Sequence, residues 1–212
     1  MTKKDSIVFM EYLDELFPNP LPELNFNNNF ELLIAVVLSA QTTDIQVNKV
    51  TKPLFNKYPN PKDLMNAKYD DVSNLIKSIG LYKTKARNII KLSEILTLKF
   101  DGKVPSKRED LESLPGVGRK TANVVLSNAF NIPAFAVDTH VMRVSKRFGI
   151  ANESDSPLVI EKKLMKLFPE DRWHRLHHQL ILFGRYYCTA RNPKCEEIKI
   201  SYMCSYCQKK RD

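Results

Sequence analysis

The sequence predicts an all-α fold, on three observations. Apolar residues recur at helical spacing along most of the 212 residues. Side chains suited to capping stand at the starts of several such runs, and no stretch reads convincingly as an alternating strand or a hairpin. In chain order, Ile7, Met10, Leu13, Leu16 and Phe17 lay an apolar stripe on a first helix. Helices are predicted near 30–41, 44–57, 70–79 and 84–100. Residues 106–130 read as two helices joined by a tight hairpin at Leu114–Gly118, with Ser106 and Glu109 spaced as a capping box. In the second of the two, Ala122, Val125, Leu126 and Ala129 repeat at i, i+3, i+4 and i+7. The last helices fall near 138–148, 157–168 and 171–187, with Ser156 before Pro157 as a start signal.

Two proline-marked breaks, "PNPLP" at 18–22 and "NIPAF" at 131–135, divide the chain. A helical middle portion, 22–132, lies between them, flanked by 1–21 and 133–212. Lys and Arg number 33 against 24 Asp and Glu, a net charge of +9. That balance favours a polyanionic partner, nucleic acid or an anionic membrane surface. The opening "MTKKDSIVFMEYLDELF" breaks its apolar positions with acids, so it reads as an amphipathic helix and not a signal peptide. The most apolar run, 32–40, is well short of the roughly 18 residues that span a bilayer. A cytoplasm-like compartment is expected. All four cysteines, Cys188, Cys195, Cys204 and Cys207, lie close together. Outside the cell they would form two local disulfides; in a reducing compartment they would hold a metal or an iron–sulfur cluster.

The stretch "LPGVGRKTANVVL" holds the sharpest chemistry. Gly116 and Gly118 make a bend, and Arg119 and Lys120 load the first turn of the next helix with cations, where the dipole is already positive. A phosphate oxygen on the free N–H groups there explains the arrangement; an ordinary turn with solvated cations is the alternative. Lys120, partly buried beside Arg119 at a helix start, would be pushed toward the neutral amine that can attack an electrophilic carbon and form a Schiff base. Otherwise it is a surface lysine whose stem covers apolar area. Asp138, in "FAVDTHVM", suits a helix N-cap and, held rigidly there, a catalytic carboxylate. His174, His177 and His178 share a helix, but Trp173, Leu176 and Leu180 beside them favour packing over metal binding.

The segment "LPGVGRKTANVVLSNAFNIPAFAVDTHVMRV" resembles the helix–hairpin–helix, Gly/Pro-Asp signature of base-excision DNA glycosylases. With Lys120 in place, and with "ELLIAVVLSAQTTD" and "SIGLYKTKA", the chain resembles the endonuclease III family within it, over nearly its whole length. The resemblance implies two helical lobes flanking a DNA-binding cleft: 22–132, carrying the helix–hairpin–helix, and 1–21 plus 133–212, carrying an iron–sulfur loop at 188–207. It implies a glycosylase and AP lyase that removes oxidised pyrimidines such as thymine glycol from duplex DNA at the nucleoid; the sequence offers no identifiable interface, so a monomer is the default expectation. Lys120 would attack C1′ of a flipped-out nucleotide, and the resulting imine would nick the strand 3′ to the lesion by β-elimination. Asp138 would assist the lysine and steady charge developing on the sugar. Gln41 and Leu81 would fill the gap left in the duplex. Gly116, Gly118 and Arg119 would meet a phosphate, as would Arg191 and Lys194 in "TARNPK". No catalytic role falls to Asp44.

The cysteine tail departs from the family's C-x6-C-x2-C-x5-C pattern. Cys188, Cys195 and Cys204 fit it, but Ile198 stands in the third position and cannot ligate iron. Three readings follow: a [4Fe–4S] cluster completed by Cys207, a zinc or other four-cysteine site, and a damaged or absent cluster. For function, the alternatives are a glycosylase for another damaged or mismatched base on the same fold, and a non-catalytic helix–hairpin–helix DNA-binding module.

Overall fold

The structure, a computed structural model, describes residues 1–209. The last three residues of the expected second lobe, 210–212, lie outside the described residues. All regular structure among the described residues is helical. The helices are α1 (Lys3–Leu16), α2 (Asn29–Leu38), α3 (Asp44–Lys57), α4 (Pro61–Met65), α5 (Tyr69–Leu75), α6 (Tyr82–Lys99), α7 (Arg108–Glu112) and α8 (Arg119–Phe130). They continue as α9 (Thr139–Arg147), α10 (Pro157–Leu167), α11 (Trp173–Tyr186) and α12 (Ser205–Lys209), with 3-10 turns at Glu170–Arg172 and Ser201–Met203. By internal contacts the chain forms two compact units: Pro22–Ile132, and Met1–Leu21 together with the chain from Pro133 on. No helix is long and apolar enough to cross a membrane.

In the Pro22–Ile132 unit, α2 is the central rod. Every residue from Phe30 to Leu38 is buried, which is why its sequence is apolar all round and not striped. It packs against α3, α6 and α8, while α4 and α5 lie on α6. Asn28 caps it, accepting the Glu31 N–H, and the buried Glu31 carboxylate is held by the N–H and side-chain amide of Asn27. The predicted helix 30–41 stops at Leu38 because the carbonyls of Leu38 and Ala40 turn to the ammonium of Lys85. The expected capping box of Ser106 and Glu109 is absent: α7 starts at Arg108, its N-cap is Lys107, and no side chain caps it. A contact between α7 and α8 decides that start, since the Arg108 guanidinium donates to Asn123 Oδ1.

In the other unit, α1 packs on α11 and α9 crosses α11. Phe9 is fully buried among Phe148, Phe168 and Phe183. Polar clasps fix the register: Arg172 donates twice to Asp14, and the Gln179 amide donates to Leu13 O, Asp14 and Phe17 O. A Cβ on Gly184 would come within 2.8 Å of His140 Cβ, so glycine lets α9 and α11 approach closely there. A capping box of Thr2 and Asp5, not among the start signals expected from the sequence, begins α1.

Candidate active site and cysteine loop

The hairpin between α7 and α8 uses its two glycines differently. Gly116 has φ +81°, and a Cβ there would lie 3.0 Å from Asn88 Nδ2 and 3.2 Å from Val37 Cγ1. Glycine is therefore demanded both by the backbone and by the packing of α2 and α6 against the turn. Gly118 has an extended backbone, φ −101° and ψ 179°, so it needs no left-handed freedom. It is the N-cap of α8, contributes no side-chain cap, and leaves open space where a Cβ would stand. The first-turn N–H groups of α8 thus lack a capping side chain and face an uncrowded surface, the arrangement that suits an anionic oxygen. Arg119 and Lys120 follow, both exposed. The partial burial expected of Lys120 is not found: as the second residue of α8 it points from a helix end into solvent, where an incoming substrate would have to supply the desolvation.

Gln41 and Leu81 are brought close within the same unit. The turn 39–43 joins α2 to α3, the turn 76–81 joins α5 to α6, and a Cβ at Gly80 would lie 3.8 Å from Gln41 O. Both residues are exposed, and both adopt the left-handed conformation, with φ of 55° and 58°. A leucine that is 62% exposed and held in that conformation serves neither the core nor the local backbone preference. Asp44 is the first residue of α3, behind its cap Thr43.

Asp138 belongs to the other unit and does cap a helix. Its Oδ1 accepts the Val141 N–H at 2.8 Å, and among the described residues its second oxygen accepts no hydrogen bond. The carboxylate is half-buried and held in place, with one oxygen left for chemistry. Arg143, one turn on, donates to Cys188 O and Gly184 O and lies 3.1 Å from His140 Nδ1. The three histidines of α11 pack, as their apolar neighbours implied. His177 Nδ1 donates to Ala136 O at 2.9 Å, and the His174, His177 and His178 rings meet at 5.0 and 5.1 Å. Burial, with His177 and His174 beside it, pushes the His178 pKa down to about 3.

The four cysteines converge in one buried cluster with Ile198 and Ile200. Cys195 and Cys207 are joined as a disulfide, while Cys188 and Cys204 are free and buried. With that pairing, no group of three or more His, Cys, Asp or Glu among the described residues is arranged to hold a metal ion. Burial pushes the Cys204 thiol up, toward its neutral form, although hydrogen bonds oppose this. Arg147 donates to Cys188 Sγ at 3.3 Å, and the backbone N–H groups of Tyr206 and Cys207 donate to the Cys204 sulfur. Ile198, at the third position of the family pattern, is only 2% exposed and packs in the core, whereas Cys207 reaches Cys195. The four cysteines expected to ligate a metal are therefore gathered in one place but do not form a free donor set: Cys188 and Cys204 are thiols, while Cys195 and Cys207 are bonded to each other.

Arg147, invisible as a site residue in the sequence, organises this loop. It donates to Thr189 O and Ala190 O and lies 3.9 Å from the Tyr206 ring centroid. Arg191 and Lys194 stand exposed on the segment so held, and Lys194 also pairs with Glu197 at 3.3 Å.

Comparison with known proteins agrees with these features. Residues 34–170 match the HhH-GPD superfamily of base excision DNA repair proteins. The chain is 50% identical to endonuclease III of Bacillus subtilis strain 168 over 201 residues, 95% of this chain and 92% of that one. It is 47% identical to endonuclease III of Escherichia coli K12 over 209 residues, 99% of each. A solved structure of a trapped endonuclease III–DNA covalent intermediate superposes with a TM-score of 0.97 at 50% identity, covering 100% of both chains. By family and by relatives matched along almost its entire length, this chain belongs to the endonuclease III family of HhH-GPD base excision DNA repair proteins.

Proposed function

We propose that the chain is a bifunctional base-excision enzyme that removes oxidised pyrimidines, such as thymine glycol, from duplex DNA and nicks the strand 3′ to the resulting abasic site. The observation that carries this reading is a close relative caught as a covalent endonuclease III–DNA intermediate, with the same fold over the full chain. The exposed Lys120 at the start of α8, behind the glycine hairpin, is the amine this chain offers for such a bond. Its Nζ attacks C1′ of the extruded nucleotide, the base departs, and the sugar ring opens to an imine on Lys120. Loss of a proton from C2′ then expels the 3′ phosphate. Asp138 takes up a proton and faces the positive charge developing at C1′ with its uncapped oxygen. Extrusion costs a few kcal/mol, least for a base that already stacks poorly. Gln41 and Leu81 enter the vacated gap. Gly116, Gly118 and Arg119 present backbone and charge to a phosphate, and Arg191 and Lys194 meet others.

Once a cellular thiol reductant has opened the Cys195–Cys207 disulfide to two thiolates, Cys188, Cys195, Cys204 and Cys207 would hold a [4Fe–4S] cluster, with Cys207 standing in for the position occupied by Ile198. The cluster would serve as a cross-link shaping the basic loop. Iron and sulfide analysis of fresh protein checks this: near-stoichiometric cluster is expected, and its loss in Cys207→Ser with retention in Ile198→Val. The protein is read as a cytoplasmic, nucleoid-associated monomer.

Borohydride trapping tests the central step. A duplex with one thymine glycol should yield a covalent protein–DNA adduct, and Lys120→Ala should abolish it. An undiminished adduct from that variant would remove Lys120 as the nucleophile. Absence of any adduct from the unaltered protein on a panel of single-lesion duplexes would leave the DNA-binding module reading.

A further inference from the structure

One buried residue touches both turns that carry Gln41 and Leu81. Lys85, in the first turn of α6, is only 4% exposed. Its backbone N–H donates to Leu81 O at 3.0 Å. Its ammonium donates to Leu38 O at 2.9 Å, Ala40 O at 2.7 Å and Thr42 Oγ1 at 2.9 Å. The side-chain acceptors bracket Gln41 on both sides, and they use all three ammonium protons. No carboxylate is among them. The charge is spent on carbonyls where α2 ends, the helix terminus that favours a cation. Burial pushes the Lys85 pKa down, the cost of keeping an ammonium there. One further link joins the turn before α6 to the start of α3: Gln46 Nε2 donates to Ser78 Oγ at 2.7 Å.

We infer that Lys85 is a positioning residue that locks Gln41 and Leu81 into one rigid pair of projecting side chains, ready to enter a gap in the duplex together. The inference rests on the reading of those two residues as gap-filling. Its physical basis is preorganisation. Two non-glycine residues in a sparsely populated conformation relax unless their surroundings hold them, and a flexible turn would have to be ordered at the moment of binding. Lys85 holds one turn through its backbone and the other through its side chain, so the spacing of the pair is set before DNA arrives.

The test measures affinity for a duplex with a tetrahydrofuran abasic-site analogue and for the same duplex undamaged, by fluorescence anisotropy, below the melting temperature of each variant. Lys85→Met should weaken abasic-site binding about tenfold or more while undamaged DNA changes by no more than about twofold. Thr42→Val removes one acceptor with little threat to folding and should weaken abasic-site binding by a few-fold; it carries the test alone if Lys85→Met does not fold. Placed on a Gln41→Ala, Leu81→Ala background, Lys85→Met or Thr42→Val should cost nothing further, because the lock then has nothing to position. Equal losses on both duplexes, or a full additional loss on the double-alanine background, would show generic support of the fold and overturn the inference. If the double-alanine variant binds the abasic site normally, the gap-filling reading falls and the inference with it. If that variant binds poorly while Lys85→Met and Thr42→Val bind normally, the gap-filling reading stands and the inference alone is wrong.

Discussion

Replacing Gly116 with alanine, beside the same change at Gly118, tests how the hairpin is built. At Gly116 the backbone sits at φ +81°, and an L-residue there costs about 1–2 kcal/mol. The new methyl would lie 3.0 Å from Asn88 Nδ2, which can swing aside. It would also lie 3.2 Å from Cγ1 of Val37, which is 3% exposed in the wall of α2 and cannot move freely. Overpacking of that kind adds about 1–3 kcal/mol, for a total near 2–5 kcal/mol. In a chain of this size the melting temperature should fall by about 4–20 °C. Gly118→Ala meets nothing within 4 Å and keeps an extended backbone. It loses only glycine's advantage over alanine as an N-cap, about 1 kcal/mol or less. Thermal unfolding followed by circular dichroism compares the two. If both variants melt within about two degrees of each other, the claim that Gly116 is demanded by backbone and packing while Gly118 is not would be refuted. Anisotropy then separates their roles further: Gly118→Ala should remain stable yet bind duplex DNA more weakly, because its methyl stands beside the uncapped N–H groups of α8.

Three other outcomes are expected. Asparagine caps a helix as well as aspartate, so Asp138→Asn should melt within about 2 °C of the unaltered protein while single-turnover base release slows by about 100-fold; unchanged base release would reduce Asp138 to a cap. His178 is neutral in the folded state down to about pH 3 but protonates in the unfolded chain from its ordinary value near 6.5. The unfolded state therefore binds the extra proton, and stability should fall by about 1.4 kcal/mol for each unit of pH below that value, flattening out near pH 3. Urea midpoints between about pH 7 and 5 should show this slope and lose it in His178→Leu; an equal slope in the variant would place the effect elsewhere. Arg191→Ala with Lys194→Ala should lower the slope of log affinity against log salt by about two, one for each phosphate no longer neutralised, and an unchanged slope would mean that the loop does not meet DNA.

Where the causes were local, they were legible in the sequence. The helices, the caps at Asp138 and Ser156 and the apolar face of α8 follow from spacing and capping chemistry within a few residues. The family was legible for a different reason: the hairpin and the aspartate that follows it resemble a family signature, and the similarity to known proteins places the chain in that family. Short-range rules failed at the end of α2 and the start of α7, where partners distant in the chain are engaged: Lys85 draws off the carbonyls of Leu38 and Ala40, and Arg108 at the start of α7 reaches Asn123. They failed too in expecting partial burial of Lys120, since exposure depends on what folds over a residue.

By itself, then, the sequence determined the helical class and the order of the longer helices, since each depends on side-chain type and spacing along a few turns, but not the short helices α4 and α12. Only the tertiary structure decided that Gly116 is required and Gly118 is not, that Arg147 braces the cysteine loop, and that the ammonium of the buried Lys85 reaches acceptors on either side of Gln41. Those facts arise from contacts between residues far apart in the chain, where packing and the need to pair buried polar groups outweigh local preference.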